Sequence, residues 1–299
     1  MSFETSAQRQ SVSVVIPARN RARAIGRCLA SVLNQTLQPM EIIVVDDGST
    51  DDTVRVVKDI GSPLVRMVSL PVSTGAQAAR NAGIRAAVGD WIAFQDSDDE
   101  WLPDKLAKQV MALEQSGNDP ATVVHTDCWI ENVLSGDRTR SVMKTVEGDS
   151  PLLRLLSGGG PMFPGIMTSK FALYEIGLLD ENVPSYQEWE TCIRLARFCR
   201  FVHIKEPLFV YNLHDGETIS KNIARSVLGY RYVLDKHRQE ILDHLGTKGF
   251  DAHLRFCARK AMRAGNFALA LETLRNCRGS SYRNTVLKIL SFCRISRLP

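Results

Sequence analysis

Four short apolar runs divide the first hundred residues, and three of them end in a cluster of polar side chains. They are Ser11–Pro17, Glu41–Val45, Leu64–Leu70 and Trp91–Gln95. The first two are rich in β-branched residues and too continuously apolar for half-exposed strands, so they suit buried parallel ones. Between the runs lie helix-length segments. Arg21–Leu33 places Ile25, Leu29, Val32 and Leu33 at helical spacing. A second helix is expected from about Asp52, with Ser49, Thr50 or Asp51 as its cap, and a third over Gln77–Val88. This alternation predicts an α/β fold, a doubly wound parallel sheet with helices on both faces. Ligands of such sheets bind beyond the carboxyl ends of the strands. Pro17–Asn20, Asp46–Asp47 and Asp96–Asp98 all fall there.

The fourth run enters an unbroken polar stretch from Gln95 to Glu100, with Asp96 and Asp98 on one short loop. Oxygen ligands at this spacing suit a hard divalent cation, Mg²⁺ or Mn²⁺, shared with substrate phosphates. The same carboxylates also suit a solvated turn heading the helix that starts near Pro103.

Beyond residue 100 the order is less regular. A helix is expected over Pro103–Gln115, a strand over Ala121–Ile130 and a flexible loop over Gly158–Gly165. A short strand (Ile166–Ser169), a helix (Gln187–Phe198) and two strands (Phe201–Ile204, Leu208–Tyr211) follow. From about Ile219 the pattern is helical, with Gly265–Asn266 turning a hairpin between Arg255 and Arg275. At 299 residues, 44% apolar and 23% charged, the chain suits one large soluble domain, or a domain of about 220 residues with an appendage.

No apolar run approaches the roughly 18 residues that would span a bilayer. The first residues lack the basic and apolar regions of a secretion signal. Seven cysteines without a Cys-x-x-Cys pair read as reduced thiols. A cytoplasmic location is expected. From His253 onward ten Lys and Arg face one acid, Glu272, whereas the chain as a whole carries only +4. The stretch Tyr282–Leu298 reads as a basic amphipathic helix. It can lie on an anionic membrane surface, giving peripheral contact at the inner face, or pack on the preceding hairpin. Nucleic acid is a poor fit, because aromatics are not regularly interleaved with the basic residues and no nucleic-acid motif is present.

With these clusters in view, the chain resembles the family-two inverting glycosyltransferases of the GT-A fold. The resemblance covers roughly residues 11 to 222. It is carried by Val14–Asn20, Ile43–Asp51 (with Asp-Asp-Gly-Ser-Thr-Asp), Ala79–Ile84 and Phe94–Asp99, which matches that family's Asp-x-Asp element. Ile176–Glu181, Gln187–Glu190 and the segment from Tyr211 through His214 to Ser220 continue it. The implied architecture is a Rossmann-like mixed, mostly parallel sheet with helices on both faces. It would occupy residues 1–222, followed by a helical, basic C-terminal extension over 223–299.

The resemblance implies a nucleotide-diphosphate sugar donor, UDP-sugar favoured, and a divalent cation, Mn²⁺ or Mg²⁺. Pro17 and Asp47 would contact the nucleotide, Asp47 through the base. Arg80 would lie near the nucleotide and its phosphates, Asp96 at the ribose and Asp98 on the metal. His214 would be a second contact to metal or diphosphate, and Glu188 the catalytic base. The acceptor would be a hydroxyl of a glycan or lipid-linked molecule, in bacterial surface polysaccharide or glycoconjugate synthesis. Its contacts are expected from the Gly158–Gly165 loop and from Pro184–Tyr186, since loops carry specificity. The roles fit the chemistry: a leaving diphosphate needs its charge stabilised, and a sugar hydroxyl needs a carboxylate to take its proton. Direct displacement with inversion then requires a single base and no covalent intermediate.

The plain alternatives are a helix-entry turn at Asp46–Asp47, a solvated Glu188 paired with Arg194, a loop histidine at 214, and Arg80 paired with Asp90 or Glu100. Two positions depart from the family pattern: the base is Glu where Asp is usual, and Ser73 stands where Asn is frequent. A non-catalytic nucleotide- or glycan-binding scaffold of the same fold is the rival from another class. The joint presence of Asp98, Glu188 and His214 argues against it. A sugar nucleotidyltransferase would want a Gly-rich loop after the first strand, and no glycine occurs there until Gly26.

Overall fold

The computed structural model describes residues 10–142, 146–148, 151–216 and 222–277. The expected amphipathic helix at 282–298 lies outside them. The chain divides into two compact units. The first comprises Met1–Pro151, Pro161–Glu181 and Arg194–His214; the second comprises Leu152–Gly160, Asn182–Ile193 and Asp215–Pro299. The extension expected from residue 223 thus belongs to a unit that also takes two earlier segments, one of which contains Glu188.

In the first unit the alternation is realised as β1 (Val12–Ala18), α1 (Ile25–Leu33), β2 (Glu41–Asp46), α2 (Thr53–Asp59), β3 (Val65–Ser69), α3 (Ala76–Ala86) and β4 (Trp91–Phe94). Then come β5 (Glu100–Trp101), α4 (Lys105–Gln115), β6 (Thr122–Asn132) and β7 (Arg138–Ser141). A single 3₁₀ turn at Phe163–Gly165 precedes β8 (Met167–Ser169). The strand order is β3-β2-β1-β4-β8-β6-β9-β5, β9 being Arg200–Leu213, and β7 pairs with β6 outside this path. Strands β3, β2, β1 and β4 are mutually parallel. The short β8 joins β4 and β6 by antiparallel pairing on both sides, so the sheet is mixed. Helices α5 (Leu152–Leu156) and α6 (Lys170–Glu175) flank this region in sequence.

Side-chain alternation explains the helices on both faces. Val14 and Ile16 of β1 and Ile42 and Val44 of β2 enter one core with Ile25, Leu29 and Val32 of α1, Val57 of α2, and Leu106 and Leu113 of α4. The odd-numbered Val15 and Val45 face α3 instead. That packing runs through Gly83, whose added Cβ would lie 2.5 Å from Val15 Cγ1 and 3.1 Å from Val45 Cγ2. The glycine lets α3 sit close over β1 and β2, which fixes where the start of that helix meets the strand ends.

Two expected strands, Phe201–Ile204 and Leu208–Tyr211, are one continuous strand, β9. Pro207 falls where its register against β6 shifts at Asp127, and a bulge is where a sheet tolerates proline. Helix α1 begins at Ile25, later than Arg21, because the preceding residues form a turn.

In the second unit, α7 (Gln187–Leu195) starts and then passes into the first unit at Arg194. It is followed by α8 (Ile223–Lys236), α9 (Arg238–Arg263) and α10 (Phe267–Arg275). The hairpin between α9 and α10 turns at Gly265–Asn266 as expected, with Asn266 Oδ1 accepting from Leu269 N at 3.0 Å. Helix α9 is interrupted at Gly246, whose φ is +64°. No described helix is long and apolar enough to cross a membrane.

Gly83→Ala is expected to destabilise the fold by about 1–3 kcal/mol, the usual cost of overpacking a tight core. Chemical denaturation of the variant beside wild type measures it.

Candidate active site

In the order β3-β2-β1-β4 successive strands run outward from β1 in one direction and then resume on its other side at β4. The topological switch point therefore lies between β1 and β4. At the carboxyl ends there, the turns after β1 and β2 are latched together. Asn20 has a left-handed backbone, φ +52°, and its Oδ1 accepts from Thr50 N at 2.8 Å while its own N–H donates to Ser49 Oγ at 2.9 Å. Arg21 N donates to Thr53 Oγ1 at 2.7 Å. Asn tolerates this conformation better than most residues. The turn directs Arg21 back across the strand ends, where its guanidinium reaches Asp98 Oδ2 at 3.2 Å.

Pro17 is buried in β1, opposite Val45 of β2. Asp47 follows β2 and is 4% exposed. Its carboxylate accepts from Ser73 Oγ (2.8 Å), Thr74 N (2.6 Å), Thr74 Oγ1 (3.2 Å) and Gly75 N (2.9 Å). It therefore closes the loop between β3 and α3 over the strand ends. Gly48 permits this: a Cβ there would lie 3.0 Å from Ser73 N, and its φ of +69° favours glycine. Ser73 makes a hydrogen bond within this lock.

The acidic loop after β4 is held by cations from several elements. Arg80 of α3 donates to Asp96 Oδ1 at 2.6 Å and to Gln77 Oε1 at 3.0 Å. The guanidinium also stacks on Phe163, 4.2 Å from the ring centroid. The pairing is with Asp96, not with the Asp90 or Glu100 that a plain surface arrangement would have used. Burial raises the pKa of Asp96, against the lowering effect of Arg80 and with a further push from Asp98.

His214 Nε2 lies 3.0 Å from the same Asp98 oxygen that Arg21 approaches. Its place is set by β9: Asn212 N donates to Asp99 Oδ1 at 2.9 Å and Asn212 Nδ2 to Asp98 O at 2.9 Å. Asp99 is 1% exposed, and its other oxygen is buried without a hydrogen-bond partner among the described residues. Burial, then the charges of Asp98 and Asp96, push its pKa well above the usual carboxylate range, only partly offset by the Asn212 amide.

Five expected site residues therefore share one strand-end region of the first unit: Pro17, Asp47, Arg80, Asp96 and Asp98. His214 joins them at Asp98. Glu188 is half-buried in the first turn of α7, in the second unit. Sequence reasoning missed Arg21, Asp99 and Asn212. A signal existed for Arg21, the first residue after the Val14–Asn20 motif, where a buried strand delivers its next polar side chains. Among the described residues no group of three or more His, Cys, Asp and Glu is placed to hold a metal ion. Asp98 and His214 form a contacting pair, 3.0 Å between Oδ2 and Nε2.

A model of the family described as glycosyl transferase family 2 matches residues 13–171. An uncharacterized glycosyltransferase of Nostoc sp. is 32% identical over 81% of this chain and 78% of its own length. The uncharacterized glycosyltransferase YwdF of Bacillus subtilis is 31% identical over 80% of this chain and 87% of its own. A shorter match, 38% over 34% of this chain and 41% of the relative, is to the Escherichia coli UDP-Glc:alpha-D-GlcNAc-diphosphoundecaprenol beta-1,3-glucosyltransferase WfaP. Among solved structures, S. aureus TarS in complex with UDP-GlcNAc superposes with a TM-score of 0.66 at 18% identity, covering 90% of this chain and 82% of that one.

Asp47→Asn places an amide nitrogen against donors that the carboxylate now accepts. Hydrogen exchange at Thr74 and Gly75 is expected to accelerate by about 10- to 100-fold, the worth of a hydrogen bond to a charged acceptor. Exchange rates equal to wild type would mean that Asp47 does not hold the loop.

Proposed function

Because the chain belongs to glycosyl transferase family 2, we propose that it is a metal-assisted, inverting hexosyltransferase. In this reading it takes a sugar from a nucleotide diphosphate, UDP favoured, and delivers it to a hydroxyl of a glycan or lipid-linked acceptor. The observation that carries the proposal is the meeting of Asp98, His214 and Arg21, with the Arg80–Asp96 pair beside them, at the β1/β4 switch point. Relatives named for work on UDP-sugars and on a diphosphoundecaprenol-linked sugar support the donor and acceptor classes.

The donor set fits a hard cation. Asp98 would hold the cation through a carboxylate oxygen, the donor type that Mg²⁺ and Mn²⁺ prefer, and His214 Nε2, 3.0 Å from it, would be the second protein donor. A cation there would act as a Lewis acid on the leaving diphosphate. The chain's own residues do the rest. Arg21 and Arg80 present guanidinium groups, whose flat fork suits phosphate oxygens. Asp96, oriented by Arg80, is placed to accept from a ribose hydroxyl. Asp47 and the 73–75 loop that it closes form the wall for the base.

Glu188 takes the proton from the acceptor hydroxyl. The acceptor oxygen bonds to the anomeric carbon from the face opposite the departing diphosphate, the bond to the phosphate oxygen breaks with its electron pair, and configuration inverts. Glu reaches one methylene further than the Asp usual in the family, so acceptor pose and base geometry must be matched to it.

Calorimetric titration of nucleoside diphosphates, UDP first, with and without Mn²⁺, tests the donor half. Asp98→Ala should remove the metal-dependent part of binding, whereas no binding by folded wild type would favour the scaffold reading. Glu188→Gln should lower transfer by about 10²- to 10⁴-fold, the range for a lost general base, and leave UDP affinity unchanged. Normal transfer by that variant would exclude Glu188 as the base.

A further inference from the structure

The second unit contains a cluster that donor binding does not use. Tyr186 stands two residues before Glu188 with a left-handed backbone, φ +59°. That conformation is rare for a bulky side chain and persists only where the surroundings impose it. Here they do. Arg225 Nε donates to Pro184 O at 2.8 Å, and buried Ser185 donates through Oγ to the carbonyls of Arg225 (3.3 Å) and Ser226 (3.4 Å). A Cβ on Gly229 of α8 would collide with Ser185, so a glycine is required for this approach.

From α9, Lys260 Nζ contacts the Tyr186 phenol oxygen at 2.7 Å and lies 5.0 Å from the ring centroid. The ring meets Trp189 and Tyr230 edge-on, at 6.0 and 5.1 Å between centroids. Tyr230 bonds His253 Nδ1 at 2.7 Å, and His253 Nε2 bonds Leu156 O at 2.9 Å. Trp189, Tyr230 and His253 are thus a buried floor. Tyr186 is half-buried, and Phe256, 4.9 Å from the Tyr230 ring, is 42% exposed.

Tyr186 also opens α7, its carbonyl accepting from Glu190 N at 3.1 Å, but that backbone bond requires no aromatic side chain. Here the strain keeps an aromatic ring at the edge of the unit, beside the base in sequence, with an ammonium group fixed at its hydroxyl. Charge adds a second line. Phe256, Lys260 and Arg263 are spaced four and three apart, along one face of α9. The segment 252–263 holds Arg255, Arg259, Lys260 and Arg263 and no acid.

We propose that Tyr186, Phe256 and Lys260 form the acceptor subsite, and that its occupant is an anionic saccharide. The apolar face of a pyranose rests on the aromatic rings, and a phosphate or carboxylate of the same acceptor takes the Lys260 ammonium group. This rests on the reading of Glu188 as base. It goes beyond that reading in assigning the acceptor's charge and the residues that select it.

Calorimetry on the full chain saturated with UDP tests it with three soluble probes: octyl diphosphoglucose, octyl glucuronide and neutral octyl glucoside. At least one charged probe should bind at least about tenfold tighter than the neutral one, the worth of a charge-assisted hydrogen bond. Which one does so separates a phosphate from a carboxylate source. Lys260→Met should erase that gap and Lys260→Arg should restore it. Tyr186→Asn, which keeps a left-handed backbone accessible, should weaken all three probes. UDP affinity should be unchanged in every variant. Equal or absent binding of the three probes to wild type overturns the proposal, as does a gap that survives Lys260→Met. Failure of wild type to bind UDP counts against the transferase reading instead.

Discussion

Four carboxylates, Asp96, Asp98, Asp99 and Glu100, fall within five residues of one loop, and partners from several elements offset their charge, only in part at the buried Asp99. Arg80 of α3 takes Asp96, and Arg21 with His214 takes Asp98. The Asn212 amide of β9 takes Asp99, and Arg27 of α1 lies 3.4 Å from Glu100. Like charges this close raise one another's cost of ionisation, most strongly where burial removes water. The loop is therefore the point at which α1, α3 and β9 are tied to the end of β4. A disturbance of any of these three elements reaches the carboxylates directly. This also explains a buried Arg80, 5% exposed, which would be costly without Asp96 and Gln77 to receive it.

That electrostatic knot was only half legible in the sequence. The first strands and their alternation with helices could be read because β1, β2 and β4 are largely apolar and end abruptly in polar groups. The Asp-x-Asp spacing was visible for the same reason. The partners were harder to read, because contacts across the sheet join residues far apart in the chain: Asp99 and Asn212 are separated by 113 positions. For Arg80 the sequence suggested Asp90 or Glu100 as partners, whereas the buried guanidinium beside Phe163 pairs with Asp96. The short β5, β7, α5 and α6 were not read as elements, since their spans are too brief for any periodicity to register. Pro207 made β9 look like two strands because a proline interrupts a ladder unless a bulge receives it.

Left-handed non-glycine residues mark both units at informative places. Asn20, in the first, precedes the arginine that reaches Asp98. Tyr186, in the second, precedes the helix that carries Glu188. Their costs differ. Asparagine visits that region readily, and its amide oxygen is used to hold the neighbouring turn. The tyrosine's side chain makes no such local bond: its carbonyl accepts from Glu190 N at 3.1 Å, and its ring depends on α8 and α9 to hold it. The first position could change with modest loss of stability, whereas the second commits two helices to one ring.

The division of the chain follows from this. Residues suited to a nucleotide and its phosphates belong to the sheet unit, where rigid strand ends and the tied acidic loop keep them in register. Glu188, the proposed base, belongs to the helical unit, with the aromatic and basic groups proposed for the acceptor. Donor chemistry requires the same diphosphate geometry whatever sugar is moved, so it benefits from an over-determined scaffold. Acceptors differ in shape and charge. Helices packed through glycines and aromatic edges can change their surface residues without loosening the donor site. On this argument, substitutions along the exposed face of α9 should alter acceptor choice first and catalysis of donor cleavage last, because the partners described for the acidic-loop carboxylates all come from the sheet unit.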